Sequence, residues 1–211
     1  MRGCFIVVDG PDGAGKTTLV GRLAARLRET GRDVLEVRQP GGTPLAEAAR
    51  RAALDPAMQA SPLAELFLIL AARADQVAKV IRPALDQGQV VLSDRYDLST
   101  VAYQIGGRGL PAGPVMSANE LATDGLRPGI TLVLDLPADI GLARQATDGK
   151  EPDRIEREGA AWHERIAAAF REASGPGIVH LDATATADVV ESVAWEAVDA
   201  HLRETSEEGE G

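Results

Sequence analysis

One cysteine, Cys4, stands among 211 residues, so no disulfide can form within the chain and a reducing compartment is expected. The thiol lies in a short apolar run, read as a buried strand, where a free cysteine serves as a small hydrophobe. No stretch approaches the roughly 20 consecutive apolar residues of a membrane helix. The first residues also lack a charged region, an apolar core and a cleavage site in series. A cytoplasmic protein with no membrane partner is the expectation. An excess of positive charge is missing too: 22 Lys and Arg stand against 32 Asp and Glu, for a net charge of −10. Binding the backbone of a nucleic acid polymer needs a basic surface, so no such partner is expected, whereas a small anion needs only local cations.

What is present is ordinary for a globular protein, with 45% hydrophobic and 26% charged residues. The length suits one domain, read as residues 1–203. Residues 204–211, with four glutamates, read as an acidic, flexible tail.

The densest signal runs from Gly10 to Thr18, which matches the phosphate-binding pattern G-x-x-x-x-G-K-[ST] between an apolar run and a helical segment. Gly10, Asp12, Gly13, Ala14 and Gly15 let backbone N–H groups turn inward around a phosphate. Lys16 adds a mobile cation, the hydroxyl of Thr17 can hold Mg²⁺, and Thr18 opens the helix whose positive end faces the anion. A bound nucleoside triphosphate follows, and the loop alone does not separate a kinase from a GTPase or a motor.

Residues 4–9 read as a strand, and Leu19, Leu23, Ala24 and Leu27 as a helix that stops at Gly31. Val34 to Val37 is the next strand, followed by the loop Arg38 to Thr43. Pro62 to Ala84 carries Leu63, Leu66, Phe67, Leu70, Val77, Val80 and Ile81 as one face of a long helix. Val90 to Leu92 is a strand leading into Ser93-Asp94-Arg95-Tyr96, and Gly106 to Gly113 reads as a loop. Strands at Ile130 to Leu134 and Ile178 to Leu181 precede a last helix over Ala187 to Arg203. Five short apolar strands separated by helices predict an α/β fold, a five-stranded parallel sheet with helices on both faces. Ligands of such sheets gather at the carboxyl ends of the strands.

Phosphoryl transfer needs two anions held in line with their charge neutralised, hence Lys, Arg and Mg²⁺ rather than a nucleophilic triad. Arg38, Arg73 and Arg95 fall at or near the expected edge, and Asp94 closes a strand where a carboxylate can reach the metal or its water. Asp135 also ends a strand and is read as structural.

These segments together resemble the bacterial thymidylate kinases. The resemblance rests on Asp9 to Thr18, Gln39-Pro40-Gly41-Gly42-Thr43, Ala71-Ala72-Arg73, Asp94-Arg95-Tyr96, Ser99 to Gln104 with Gly106-Gly107-Arg108-Gly109, and Asp153-Arg154-Ile155-Glu156. It implies a P-loop nucleoside monophosphate kinase fold with a mobile lid, ATP and Mg²⁺ as cofactors, dTMP as acceptor and a homodimer using the helix from Pro62. It also implies that Lys16 and the loop amides hold the ATP phosphates, Thr17 and Asp94 serve the metal, and Asp12 reaches the sugar 3′-OH. Arg95 would hold the acceptor phosphate, Arg73 the thymine carbonyl, and Gln39, Pro40, Ile69, Ser99, Thr100 and Gln104 the rest of the acceptor. Tyr103 would crowd the 2′ position and so select deoxyribose.

The chain departs from the family pattern at three places. Gln39 stands where Glu is usual, which removes a negative charge near the metal and lowers the expected Mg²⁺ affinity. Ile69 replaces a Phe that would stack on thymine. The lid, at about 144–154, is poor in arginine, and because the P-loop slot is Gly13 the catalytic cation is expected from Arg144, Lys150 or Arg154. The implied activity is transfer of the ATP γ-phosphoryl group to dTMP. A kinase for another or modified deoxynucleotide and a non-enzymatic nucleotide switch are the rivals.

Overall fold

Strand β1 (Cys4–Asp9) runs through the centre, with Phe5 to Asp9 all buried. Its side chains alternate between two cores, as the period of a strand requires. Ile6 and Val8 pack with Leu19 and Leu23 of helix α1 (Lys16–Glu29), while Phe5 and Val7 meet Val77, Ile81 and Tyr96 on the other face. A strand covered on both faces reads as an uninterrupted apolar run, which is why it was legible.

The computed structural model describes residues 3–147 and 153–208. Within it β2 (Val34–Arg38), β3 (Val90–Asp94), β4 (Ile130–Asp135) and β5 (Ile178–Asp182) join β1 in a parallel sheet of order β2-β3-β1-β4-β5. Val8 is in register with Asp94 on one side and Leu132 on the other, so the carboxyl ends lie level. Asp9, Arg38, Asp94, Asp135 and Asp182 each close a strand there. β1 is followed in sequence by strands on both of its sides, and the crevice at its end is where this topology places ligands.

Helix α2 (Pro44–Leu54) escaped the sequence reading because its buried residues, Ala46, Ala49 and Ala53, are too small to mark an apolar stripe. Its start is defined by Thr43, whose hydroxyl accepts from the Ala46 amide at 3.1 Å and donates to Asp75 at 2.5 Å. Helix α3 (Pro62–Gln76) continues through a π-helical turn, Val77–Ile81, into α4 (Arg82–Asp86). The single apolar face expected there divides: Leu66, Leu70, Val77 and Ile81 are buried, whereas Leu63 and Phe67 are 52% and 57% exposed.

Helix α5 (Asp97–Thr100) leads into a second π-helical segment, Val101–Gly107, and α6 (Ala112–Thr123) follows. The loop expected from Gly106 to Gly113 is therefore confined to 108–111. Gly107, the last residue of that helical segment, serves packing rather than a turn: a Cβ on it would lie 2.8 Å from Ile166 Cδ1 and from Trp162 Nε1. Helices α7 (Ala138–Thr147), α8 (Ala160–Arg171) and α9 (Ala187–Glu208) complete the layers. Helix α9, expected to stop at Arg203, carries the acidic segment as far as Glu208. Residues 148–152 of the expected lid, Lys150 among them, and 209–211 of the tail lie outside the described residues.

Candidate active site

The loop after β1 turns through Gly13 and Gly15, whose φ angles of 78° and 90° fall where only glycine is unstrained. Gly15 caps α1 without any side-chain hydrogen bond, so the first amides of that helix remain open to an anion. Lys16 is 7% exposed and donates to the carbonyl of Pro11 at 2.7 Å. Burial, then repulsion from Arg95, pulls its pKa down to about 8 against the opposing pull of Asp12, Asp94 and Asp9. Beside it Thr17 Oγ1 donates to Asp94 Oδ2 at 2.6 Å, a pair of hard oxygen ligands at the end of β3. Among the described residues no three His, Cys, Asp or Glu side chains converge as a cage of their own. A hydroxyl and a carboxylate oxygen side by side are donors of the kind Mg²⁺ takes.

These residues line a cavity of about 810 Å³ together with Gly13, Thr18, Arg38 and Arg144. Gly10 and Ala14 belong to the loop but not to the cavity wall. Gly10 instead offers its carbonyl to Arg95 at 3.0 Å, and Ala14 packs into the core.

A second cavity, of about 150 Å³, opens on the far side of Arg95. Arg95 holds φ at 73°, a left-handed conformation that costs a non-glycine residue about 1–2 kcal/mol. Its guanidinium is fixed by Gly10 O, by Ser99 Oγ at 3.1 Å and by Asp12 Oδ1, and lies 5.1 Å from the centre of the Tyr103 ring. Tyr103 in turn donates to Asp12 Oδ2 at 2.8 Å and is braced edge-on by Trp162 and Phe170. Burial pushes the Asp12 carboxyl up, but Arg95, Lys16 and the Tyr103 hydroxyl outweigh it and hold the pKa below its ordinary value.

Arg73, 2% exposed, is the most buried of the three arginines that line this cavity. Its guanidinium donates to Gln39 Oε1 at 2.8 Å, Thr100 Oγ1 at 2.6 Å, Asn119 Oδ1 and the Tyr96 carbonyl at 2.7 Å. All four partners are neutral, and the carboxylates of Asp97 and Asp9 act on the charge without hydrogen-bonding to it. Gln39, Pro40, Ile69, Ser99, Thr100, Tyr103 and Gln104 share this wall. Asp12, Gln39, Arg50, Arg95 and Glu156 line both cavities and form the partition between them.

A family model described as "Thymidylate kinase" matches residues 8–193. This chain belongs to the thymidylate kinase family. A thymidylate kinase of Deinococcus radiodurans is 44% identical over 200 residues, covering 93% of this chain and 97% of that protein. One from Pseudomonas putida GB-1 is 50% identical over 171 residues, covering 81% of each. Another, from Pseudomonas entomophila, is 49% identical over 176 residues and 83% of each chain.

Arg154, one of the expected lid cations, does not line the phosphate-loop cavity. Its guanidinium bonds the Ala53 carbonyl at 2.8 and 3.0 Å and the carboxylate of Glu65, two residues that line the small cavity. The cause is electrostatic: Glu65 is 1% exposed, and a carboxylate so buried must be paired. Arg144 is the lid-side arginine that does reach the loop, donating to Gly13 O at 3.2 Å and to Ala183 O at 3.0 Å. Gln39 turns its oxygen to Arg73 rather than to Thr17 or Asp94. Arg38 pairs with Glu47 at 2.9 Å, and Asp135 with His180 at 2.9 Å, which agrees with a structural part for Asp135.

Sequence reasoning missed Arg50, whose helix α2 it did not recognise and which donates to Pro40 O at 3.0 Å. It passed over Asp9 as well. That buried carboxylate accepts from the Gly10, Tyr96 and Ser99 amides and the Ser99 hydroxyl, and so ties β1 to the strand end carrying Arg95. A strand-terminal Asp directly before the P-loop was the available signal.

Proposed function

We propose that this chain transfers the γ-phosphoryl group of Mg²⁺-ATP to the phosphate of dTMP, giving dTDP and ADP. The observation that supports the reading is the shared partition: a phosphate-loop cavity and a second, arginine-lined cavity meet at Asp12, Gln39, Arg50, Arg95 and Glu156. Two nucleotides entering from opposite sides would bring donor and acceptor phosphates together there.

In this reading the α1 amides and Lys16 bind the ATP phosphates, with Arg144 on the same side. Thr17 and Asp94 would hold Mg²⁺, which would supply neutralising charge to the ATP phosphates. Arg95 grips the acceptor phosphate, and its strained backbone keeps the guanidinium aimed along the partition. The acceptor is already an anion, so no general base is needed; the protein supplies position and charge. Asp12 and Tyr103 meet the sugar, with Tyr103 held too firmly by Trp162 and Phe170 to make room for a 2′-hydroxyl. Arg73, Ile69, Thr100 and Gln104 surround the base.

A homodimer through α3 is part of the proposal, supported by Leu63 and Phe67 standing exposed one helical turn apart. So is a cytoplasmic setting: among the described residues no helix is long and apolar enough to cross a membrane. A coupled ADP-release assay across dTMP, dUMP, dCMP, dGMP and UMP tests the assignment. The highest kcat/KM is expected with dTMP, and equal or better turnover of a purine acceptor would overturn it.

A further inference from the structure

Glu65, in the first turn of α3, is a buried carboxylate that the phosphate chemistry above does not use. It accepts from Gln104 Nε2 at 2.9 Å, from Arg108 Nε at 3.2 Å to each oxygen, and from Arg154 Nη2. Arg108 is shared with Glu158, so the cluster balances two carboxylates against two guanidinium groups. Burial works against the ionised form of Glu65, but the hydrogen bonds from Arg108, Arg154 and Gln104 outweigh it.

An ionised carboxylate can only accept, and this dictates the orientation of its neighbour. Gln104 must turn its NH₂ to Glu65, which leaves its carbonyl oxygen for the cavity it lines with Arg73 and Thr100. Among the described residues no donor is bonded to that oxygen. Arg73, by contrast, can only donate. The pocket therefore offers a donor at one point of its wall and an acceptor at another. A pyrimidine with a C4 carbonyl beside an N3–H matches that pair, whereas a 4-aminopyrimidine reverses both polarities.

We propose that Glu65 is the positioning residue that holds Gln104 in its acceptor orientation and thereby discriminates 4-oxo from 4-amino pyrimidine nucleotides. The inference rests on the acceptor-site reading above. Glu65 touches no reacting atom and acts through Gln104 alone.

The test compares wild type, Glu65→Gln, Gln104→Met and the double variant in ADP release with dTMP, dUMP and dCMP. A glutamine at 65 can both donate and accept, so the Gln104 amide is free to turn. The dTMP to dCMP ratio of kcat/KM is expected to fall about tenfold or more. The dTMP to dUMP ratio should hold, since both bases carry N3–H, and in the Gln104→Met background the Glu65 change should no longer move the dTMP to dCMP ratio. A merely structural Glu65 would depress all three acceptors alike with the ratios intact, and that result overturns the proposal. Should Glu65→Gln fail to fold, hydrogen exchange of the Gln104 side-chain amide in ligand-free wild type decides: protection is expected, and free exchange refutes the arrangement. Wild type without dTMP-dependent ADP release would sink the functional reading, a result separate from either outcome for Glu65.

Discussion

Gly13 and Gly141 meet backbone to backbone across the phosphate loop. A Cβ on Gly13 would stand 2.4 Å from the Gly141 carbonyl oxygen, and one on Gly141 would stand 2.5 Å from the carbonyl oxygen of Asp12. No side chain fits between, so α7 lies directly on the loop and carries Arg144 to Gly13.

Gly141→Ala is expected to push α7 off the loop. The overpacking should cost about 1–3 kcal/mol of stability and raise KM for ATP several-fold while leaving KM for dTMP unchanged. Thermal melts with steady-state kinetics on both substrates check this, and an unaltered ATP KM would count against a part for Arg144 in ATP binding.

ATP binding should take up a proton near pH 8. Lys16 titrates at about 8 in the ligand-free protein, through burial first and Arg95 second, and phosphates hold the proton on. Affinity then falls as pH rises through that value. The unfolded chain keeps this proton to the ordinary 10.5, so ligand-free stability should rise with pH over the same window. Calorimetry in two buffers of different ionisation enthalpy measures the uptake, which Lys16→Met should abolish.

Arg73→Lys should fail despite conserving charge. An ammonium cannot reach Gln39, Thr100, Asn119 and the Tyr96 carbonyl together. The unmade hydrogen bonds predict a loss of about 3 kcal/mol or more, read in chemical denaturation, along with a lower kcat/KM for dTMP. A near-neutral result would mean the pocket closes without its central cation.

Phe67→Glu tests the dimer. The residue is 57% exposed in a single chain, so monomer stability should change by less than about 0.5 kcal/mol while light scattering shows the mass halved. A monomeric wild type, or an unshifted mass in the variant, counts against association through α3.

Arg144 and Arg154 show where local reading fails. Arg144 and Arg154 look equivalent in a sequence, both basic and both flanking the segment. What separates them is Glu65, 89 positions from Arg154, which pairs with one guanidinium at the smaller cavity while the other bonds the phosphate loop. Arg50 was hidden for a different reason: it rides on a helix whose buried face is alanine, and small side chains carry too little hydrophobicity to announce a period.

Local order was written in the chain itself. The alternation of apolar strands with helices, the glycines of the phosphate turn and the aspartates closing β1 and β3 depend on neighbours within a few residues, where sterics and periodicity act. Tertiary structure alone decided which charges would be cancelled and which left open. Burial makes an unpaired carboxylate such as Glu65 recruit cations from distant segments, while Arg73 rests among neutral hydrogen-bonding oxygens. Those pairings depend on desolvation and on distances across the sheet, and neither exists until the chain has folded.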